Sequence, residues 1–448
     1  MDKQKKLKMK KPSKLARALA YLSLVVLISG DSLFGEDYIR ANPVWILWLT
    51  GAITTVVGCI YFLAKADWKR VVRQMPIELT LLLALMIGSS TWSAYPWQTV
   101  SAFTIQIGVT LVALFFAATF TWRQILIVFA NTIRGIVFGM LTIGVVSAIF
   151  PIAKLSIEQS SVLLDFGLLR LMLGNPNLIS NNFVAAIALI GVITFAIEAA
   201  IKKKTSVLSL VSLAASVALI FVAKSAGMVF ASIAVLLAAI VSLAAEGKDK
   251  ATRHRYYRIA WSIAGVGVFL VLAFRKQVFE FLGKSPDMTH RTDIWQSVAN
   301  LIELRPLEGW GFTGVWVPGV SPYEGLVIIN GEKYYQAHNA YLDMWLQLGA
   351  VGLILFVILL TRVFVKTWRL GVHHSNALYL WPLLLLVTQL VRGITESRLL
   401  IQSAMMMLIL FAVKSHDPEE LLEENFKKTK RKQLEQISKR PITRLIRR

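Results

Sequence analysis

Twelve apolar runs govern what this chain can fold into. They fall at roughly 17–30, 43–64, 77–91, 99–120, 124–151, 178–200, 206–222, 225–245, 259–274, 340–363, 376–393 and 399–414. Several reach the ~20 residues that an α-helix needs to cross a hydrocarbon core of ~30 Å. In lipid every backbone polar group must be satisfied internally, and a helix does this within one segment. The expected fold class is therefore an all-α polytopic membrane protein, with about twelve transmembrane helices and one large outside loop. Composition supports it: 56% of the 448 residues are hydrophobic and 17% charged, against about a quarter charged in soluble domains. No short-period repeat suggests a solenoid. The start, "MDKQKKLKMKKPSKLARALAYLSLVVLISG", has the basic-then-apolar order of a signal peptide without an A-x-A cleavage pattern, so it is expected to stay as the first span.

The net charge of +22 sits mainly between and after the apolar runs. Lysine and arginine in such loops orient a membrane protein, cytoplasmic side positive. With the basic N-terminus inside, "KADWKRVVRQ", "TWRQ", "IKKK", "EGKDKATRHRYYR", "TRVFVKTWRLGVHH" and the tail "NFKKTKRKQLEQISKRPITRLIRR" also fall inside. The outside segments are then "DSLFGEDYIRAN", "SSTWSAYPWQ", the stretch before Asn177, "AKSAG", the loop from about Arg275 to His338, and "RGITESR". One span more or fewer would put half of the basic clusters on the wrong side. The expected location is the cytoplasmic (inner) membrane, multi-pass, with both termini cytoplasmic. Membrane lipids, through anionic headgroups, are expected partners of these clusters. Nucleic acid is not, because no nucleic-acid motif is present. The single cysteine, Cys59, excludes an intramolecular disulfide and a cysteine metal cluster.

This gives four regions: 1–274 as N-terminal transmembrane helices, 275–339 as an extracytoplasmic loop, 340–414 as C-terminal transmembrane helices and 415–448 as a basic cytoplasmic tail. The loop is far longer than an ordinary connection. Within it "RTDIWQSVANLIEL" has helical periodicity. Ile294, Val298, Leu301 and Ile302 form one stripe, expected to lie on the membrane surface, and Arg291 and Trp295 share a face four residues apart. "RPLEGWGFTGVW" follows, rich in glycine and aromatics, suited to stacking on sugars or to interfacial anchoring. Then comes "QAHNAYLDMWLQLGAVGLILF". Asn339 is an N-cap candidate, and helical spacing puts Tyr341 and Trp345 on nearly the same side as His338. A histidine at a helix start on the outer surface suits a general base, though one such residue alone is more often structural. Arg170, Lys224 with Ser225, and Arg392, Glu396 and Arg398 sit at other outer boundaries. Cations at membrane depth mark functional sites by default, and arginine binds phosphate through two parallel bonds. The alternative for any one of them is snorkelling to headgroups.

"HRTDIWQSVANLIELRPLEGWGFTGVW" followed by "AHNAYLDMWLQLGAVGLILF" resembles the core of the O-antigen ligase and O-antigen polymerase superfamily, nearest its exopolysaccharide polymerase branch. "GNPNLISNN" and "AKSAGMVF" match weaker family signals upstream. The resemblance implies a GT-C-like, metal-independent glycosyltransferase with no cofactor. It would take a glycan from a polyprenyl (undecaprenyl) diphosphate donor on the outer face, and its expected acceptor is a glycan or lipid. Polymerases pass the glycan to another lipid-linked repeat unit. Ligases pass it to lipid A core, and relatives pass it to protein. A flippase and a chain-length regulator would be pathway partners. By motif, Arg291 and His338 are the catalytic candidates. Arg170, Lys224, Arg398, Asn339, Trp295 and Tyr341 are candidates for substrate binding, and no metal site is implied. The chain departs from the family at His290, where glycine is frequent before the arginine, and at "AKSAGM", where arginine often follows the serine. Two other classes stay open: a transporter for a polysaccharide precursor or small anion, and a non-catalytic assembly subunit.

Overall fold

The computed structural model describes residues 12–33, 44–66, 68–149, 181–202, 206–223, 225–274, 277, 291–329, 331–374 and 376–415. Among the described residues the chain is all-α apart from one two-residue antiparallel pair, β1 (Ile328–Ile329) and β2 (Glu332–Lys333). The helices are α1 (Lys14–Leu33), α2 (Val44–Lys65), α3 (Trp68–Arg73), α4 (Ile77–Gly88), α5 (Pro96–Thr119), α6 (Trp122–Ile149), α7 (Asn181–Ile201), α8 (Val207–Ala223), α9 (Ala226–Ala245), α10 (Lys250–Ala273), α11 (Arg291–Leu304), α12 (Ala340–His373), α13 (Leu380–Gly393) and α14 (Gln402–Lys414). Each of the twelve apolar runs coincides with one of these. Among the described residues six helices are long and apolar enough by themselves to cross a membrane, and α4, α8, α13 and α14 are shorter apolar helices. This is a polytopic membrane protein.

Packing follows the side chains. α13 and α14 are sheathed on all sides, with Trp381, Leu385, Met405 and Phe411 fully buried. α14 packs on α5, α13 on α9 and α12, α7 on α8, and α12 on α4. Around this centre the outward faces stay apolar: Leu47, Phe221, Leu236, Trp261 and Phe269 are all exposed. Water would penalise such a surface, whereas hydrocarbon accepts it. Among the helices one buried ion pair joins α6 to α7, with Arg134 Nη2 2.6 Å from Glu198 Oε2. Ser212 of α8 and Asn131 complete the guanidinium's bonds, as a buried charge requires.

One break in a helix builds the platform for the site. α12 is interrupted at Gly349, whose φ of 65° is left-handed. The break frees carbonyls that a continuous helix would use internally. The loop after α11 takes them up: Trp310 N–H donates to Leu346 O at 3.0 Å and Gly311 N–H to Gln347 O at 2.8 Å. In return Ala350 N–H donates to Pro306 O at 2.8 Å. The Gln347 side chain receives Thr313 N–H and Gly314 N–H, both at 2.9 Å. The segment after Gly349 is roughly 36 Å long at 1.5 Å per residue, enough to span a bilayer core alone. The turns before it belong instead to the loop layer. A Cβ at position 349 would also overlap the Leu307 carbonyl. Gly349→Ala is therefore expected to cost about 3 kcal/mol or more, read as a lowered Tm in detergent. An unchanged Tm would sink this account of the break.

The stripe expected on the membrane surface lies elsewhere. Ile294, Val298 and Ile302 are buried in a second small core with Tyr95, Trp316, Tyr323 and Leu346. The segment between α4 and α5 supplies the tie: Tyr95 Oη donates to Gly311 O at 3.0 Å, and Trp92 Nε1 donates to Glu308 O at 3.2 Å. The apolar face of α11 thus covers protein, because the loop folds back over it.

Candidate functional site

Five chain segments meet at one end of the bundle. They are the N-termini of α7, α9 and α11, the residues just before α12, and the turn after α13. The positive-inside reading expects all five on one side of the membrane.

Glu396, in the turn outside the helices, is their meeting point. It is 5% exposed. Arg291 Nη2, from the first residue of α11, lies 3.2 Å from its Oε1. Asn182 Nδ2, from the first turn of α7, donates to the same oxygen at 2.6 Å. His338 Nδ1 lies 3.3 Å from Oε2, a close contact whose alignment falls short of a hydrogen bond. Arg392, in the last turn of α13, adds a further cationic field. Behind this layer Ser225, the N-cap of α9, donates to Asn182 Oδ1 at 2.7 Å. Burial works against the charge on Glu396, yet His338, Arg291 and Arg392 outweigh it and hold the carboxyl down at about 2. Among the described residues two arginines surround this one carboxylate, which leaves a cationic excess.

His338 is held by its backbone. Its φ of 48° is unusual for a non-glycine residue, and the residues on both sides are pinned. Ala337 N–H donates to Asp343 Oδ2 at 3.1 Å, and Ala337 O accepts from Trp295 Nε1 at 3.0 Å. Asn339 N–H donates to Ser397 Oγ at 3.3 Å. The fully buried Asp343 also accepts from Trp316 Nε1 at 2.6 Å. The ring itself keeps 21% of its surface open and meets Tyr334 edge-on.

The sequence candidates thus separate by place. Arg291 and His338 come together. Asn339 caps α12, accepting from Tyr341 N–H at 3.0 Å and Leu342 N–H at 3.2 Å. Because Asn339 is the cap, His338 lies upstream of the helix, and helical spacing does not put Tyr341 and Trp345 beside it. Tyr341 Oη instead donates to Leu390 O of α13 at 3.1 Å, and Trp345 Nε1 to Pro306 O at 3.0 Å. Trp295 braces the segment before His338. Arg398 is half-buried in the short 3-10 turn Ser397–Leu400, with no side-chain bond among the described residues. Arg170 and Lys224 lie outside the described residues. Asn182, Asp343 and Ser397 escaped sequence reasoning, and Glu396 was visible there only as one boundary charge among three. Among the described residues no cluster of His, Cys, Asp and Glu has the grouping to hold a metal ion.

Comparison with known proteins covers part of this constellation, and leaves Arg392 and Glu396 outside the match. Residues 179–357 match the family described as O-antigen ligase. The matched stretch runs from just before Asn182 through Arg291 and His338 into α12. A Rickettsia felis protein, provisionally named a polysaccharide ligase, is 38% identical over 87 residues, 18% of this chain and 21% of that protein. The exopolysaccharide production protein ExoQ of Rhizobium meliloti is 32% identical over 85 residues, 18% of this chain and 20% of its own length. A Rickettsia typhi protein with a name of the first kind is 30% identical over 102 residues, 22% and 25% of the two chains. The alignments thus span about a fifth to a quarter of these relatives. The resemblance that the motifs carry is to the O-antigen ligase family, in a polytopic membrane protein.

Proposed function

We propose that the protein is a glycosyltransferase that moves a polyprenyl-diphosphate-linked glycan onto a sugar hydroxyl at the outer face of the cytoplasmic membrane. One observation carries this: Arg291, Arg392 and His338, far apart in sequence, converge on Glu396 at one end of the bundle. The cationic excess suits a diphosphate, and an arginine fork meets phosphate oxygens in pairs. Glu396 beside Nδ1 favours the proton on that nitrogen, which leaves Nε2 as the basic one. The acceptor oxygen attacks the anomeric carbon and its proton passes to Nε2. The bond from that carbon to the diphosphate oxygen breaks, and its electron pair leaves with the diphosphate. Arg291 and Arg392 stabilise the charge that gathers there. A diphosphate is already a good leaving group, so these residues suffice without a metal. A single displacement inverts the anomeric configuration.

Polymerisation of surface polysaccharide repeat units is the first reading, by the branch that the motifs resemble. Ligation to lipid A core or protein is the second, by the Rickettsia names. Purified protein in a bilayer, given a polyprenyl-diphosphate oligosaccharide, is expected to lengthen it into a ladder of repeat units. A single addition to an added acceptor would mark a ligase. Absence of any glycan transfer, loss of activity with chelator, or retention of configuration would each overturn the corresponding part.

A further inference from the structure

A second feature lies at the far end of the Ser397–Leu400 turn, one 3-10 turn of roughly 8 Å from Glu396. It is a half-open cleft between α5, the loop that follows α11 and the start of α14, with a cavity volume of about 40 Å³ and further space open to the outside. Ala102, Gln106, Phe312, Thr313, Ile401 and Gln402 line it. Among the described residues its walls are mainly apolar, with one aromatic ring and no charged side chain.

Three polar groups in this lining lack aligned hydrogen bonds: Gln106 Nε2, Thr313 Oγ1 and Gln402 Oε1. Their residues are 3%, 5% and 4% exposed. Thr313 Oγ1 interacts with the nearby Tyr323 phenol without bonding it squarely. The Gln402 amide lies against Gly30 of α1, where any side chain would collide with it. Unpaired buried polar groups are costly and call for a specific reason, of which an absent ligand is one. Here they form a neutral set: a donor, a hydroxyl and an acceptor. An anion would find no cation, and a plain lipid tail would leave the amides unpaired. A pyranose offers an apolar ring face for Phe312 and hydroxyls that both donate and accept.

The geometry points to a subsite for an uncharged sugar ring of the glycan, next to the reacting residue. This rests on the transferase reading of the Arg291–His338–Glu396 cluster. The ring belongs either to the acceptor or to the donor glycan, and the experiment separates them.

The full chain in lipid nanodiscs is titrated with methyl glucoside, methyl galactoside and methyl mannoside by saturation-transfer NMR, without donor. Wild type is expected to bind at least one. Gln106→Leu and Thr313→Val are expected to weaken that binding about tenfold, one hydrogen bond's worth, while Tm holds or rises. A residue kept for structure would lower Tm when replaced; one kept unpaired for a ligand relieves a burden. In the transfer assay KM rises about tenfold for the acceptor or for the donor, whichever carries the ring, and more than kcat falls. Wild type that binds none of the three glycosides overturns the subsite. So does equal binding by wild type and both variants, even with transfer intact. Glycoside binding that the variants weaken, in a protein that never transfers glycan, upholds the subsite and refutes the transferase.

Discussion

Alanine at Arg291 or at His338 is expected to lower glycan transfer by a factor of about 10²–10⁴, with folded protein still in the membrane. The two losses differ in kind. Without Arg291 the departing diphosphate loses a paired donor, but Glu396 keeps Asn182 and Arg392, so the turn stays supported. Without His338 the hydroxyl loses its base, while the backbone pins at Ala337 and Asn339 remain. Arg291→Lys should fall between, because lysine keeps the charge but not the fork. The double variant should lose little more than the worse single one, as in groups acting in one step. Transfer is measured on single turnovers, with membrane-extracted protein checked by its melting curve. Full activity in both single variants would refute this site.

The second large effect is on stability and is set by pH. Glu396 has a folded-state value of about 2, below the ordinary glutamate value of about 4.3. Its carboxylate therefore stabilises the folded state fully above about pH 4.3, and this contribution is lost as pH falls through about 2. The size is on the order of 3 kcal/mol, from a shift of roughly two units or more. Wild-type Tm should drop across that window. Glu396→Gln, which preserves shape but leaves Arg291 and Arg392 without their counter-charge, should start lower at pH 7. Its loss between about pH 4.3 and 2 should be smaller by that amount. Parallel pH curves for the two proteins would show that Glu396 does not anchor the cluster. Transfer by the variant should also fall, because His338 loses the group that orients its tautomer.

Residues that act through local pattern were easy to read. The N-cap at Asn339 is a short-range signal, and the structure shows both of its bonds. The α11 helix and its stripe of Ile294, Val298 and Ile302 followed from period alone. What that stripe faces did not follow, since apolar side chains suit a lipid surface and a protein core equally. Only the refolded loop, stitched to α12 at Gly349, settled it. Glu396 was hard to read for a related reason. A carboxylate beside two arginines in "RGITESR" looks like a local pair, whereas its partners Asn182, Arg291 and His338 come from segments up to 214 positions away.

The sequence by itself determined the all-helical class and the apolar spans, which rest on composition and period acting along the chain or between neighbouring turns. Arg291 with His338 as a pair worth testing came from the resemblance that their motifs carry. Tertiary structure alone decided that Glu396 is the hub and that Trp295, Tyr341 and Trp345 brace rather than face the ring. It also decided that a neutral cleft lies one turn from the charged site. Those facts depend on which buried donor meets which acceptor across helices, and low-dielectric burial makes such pairings specific only once the helices are packed.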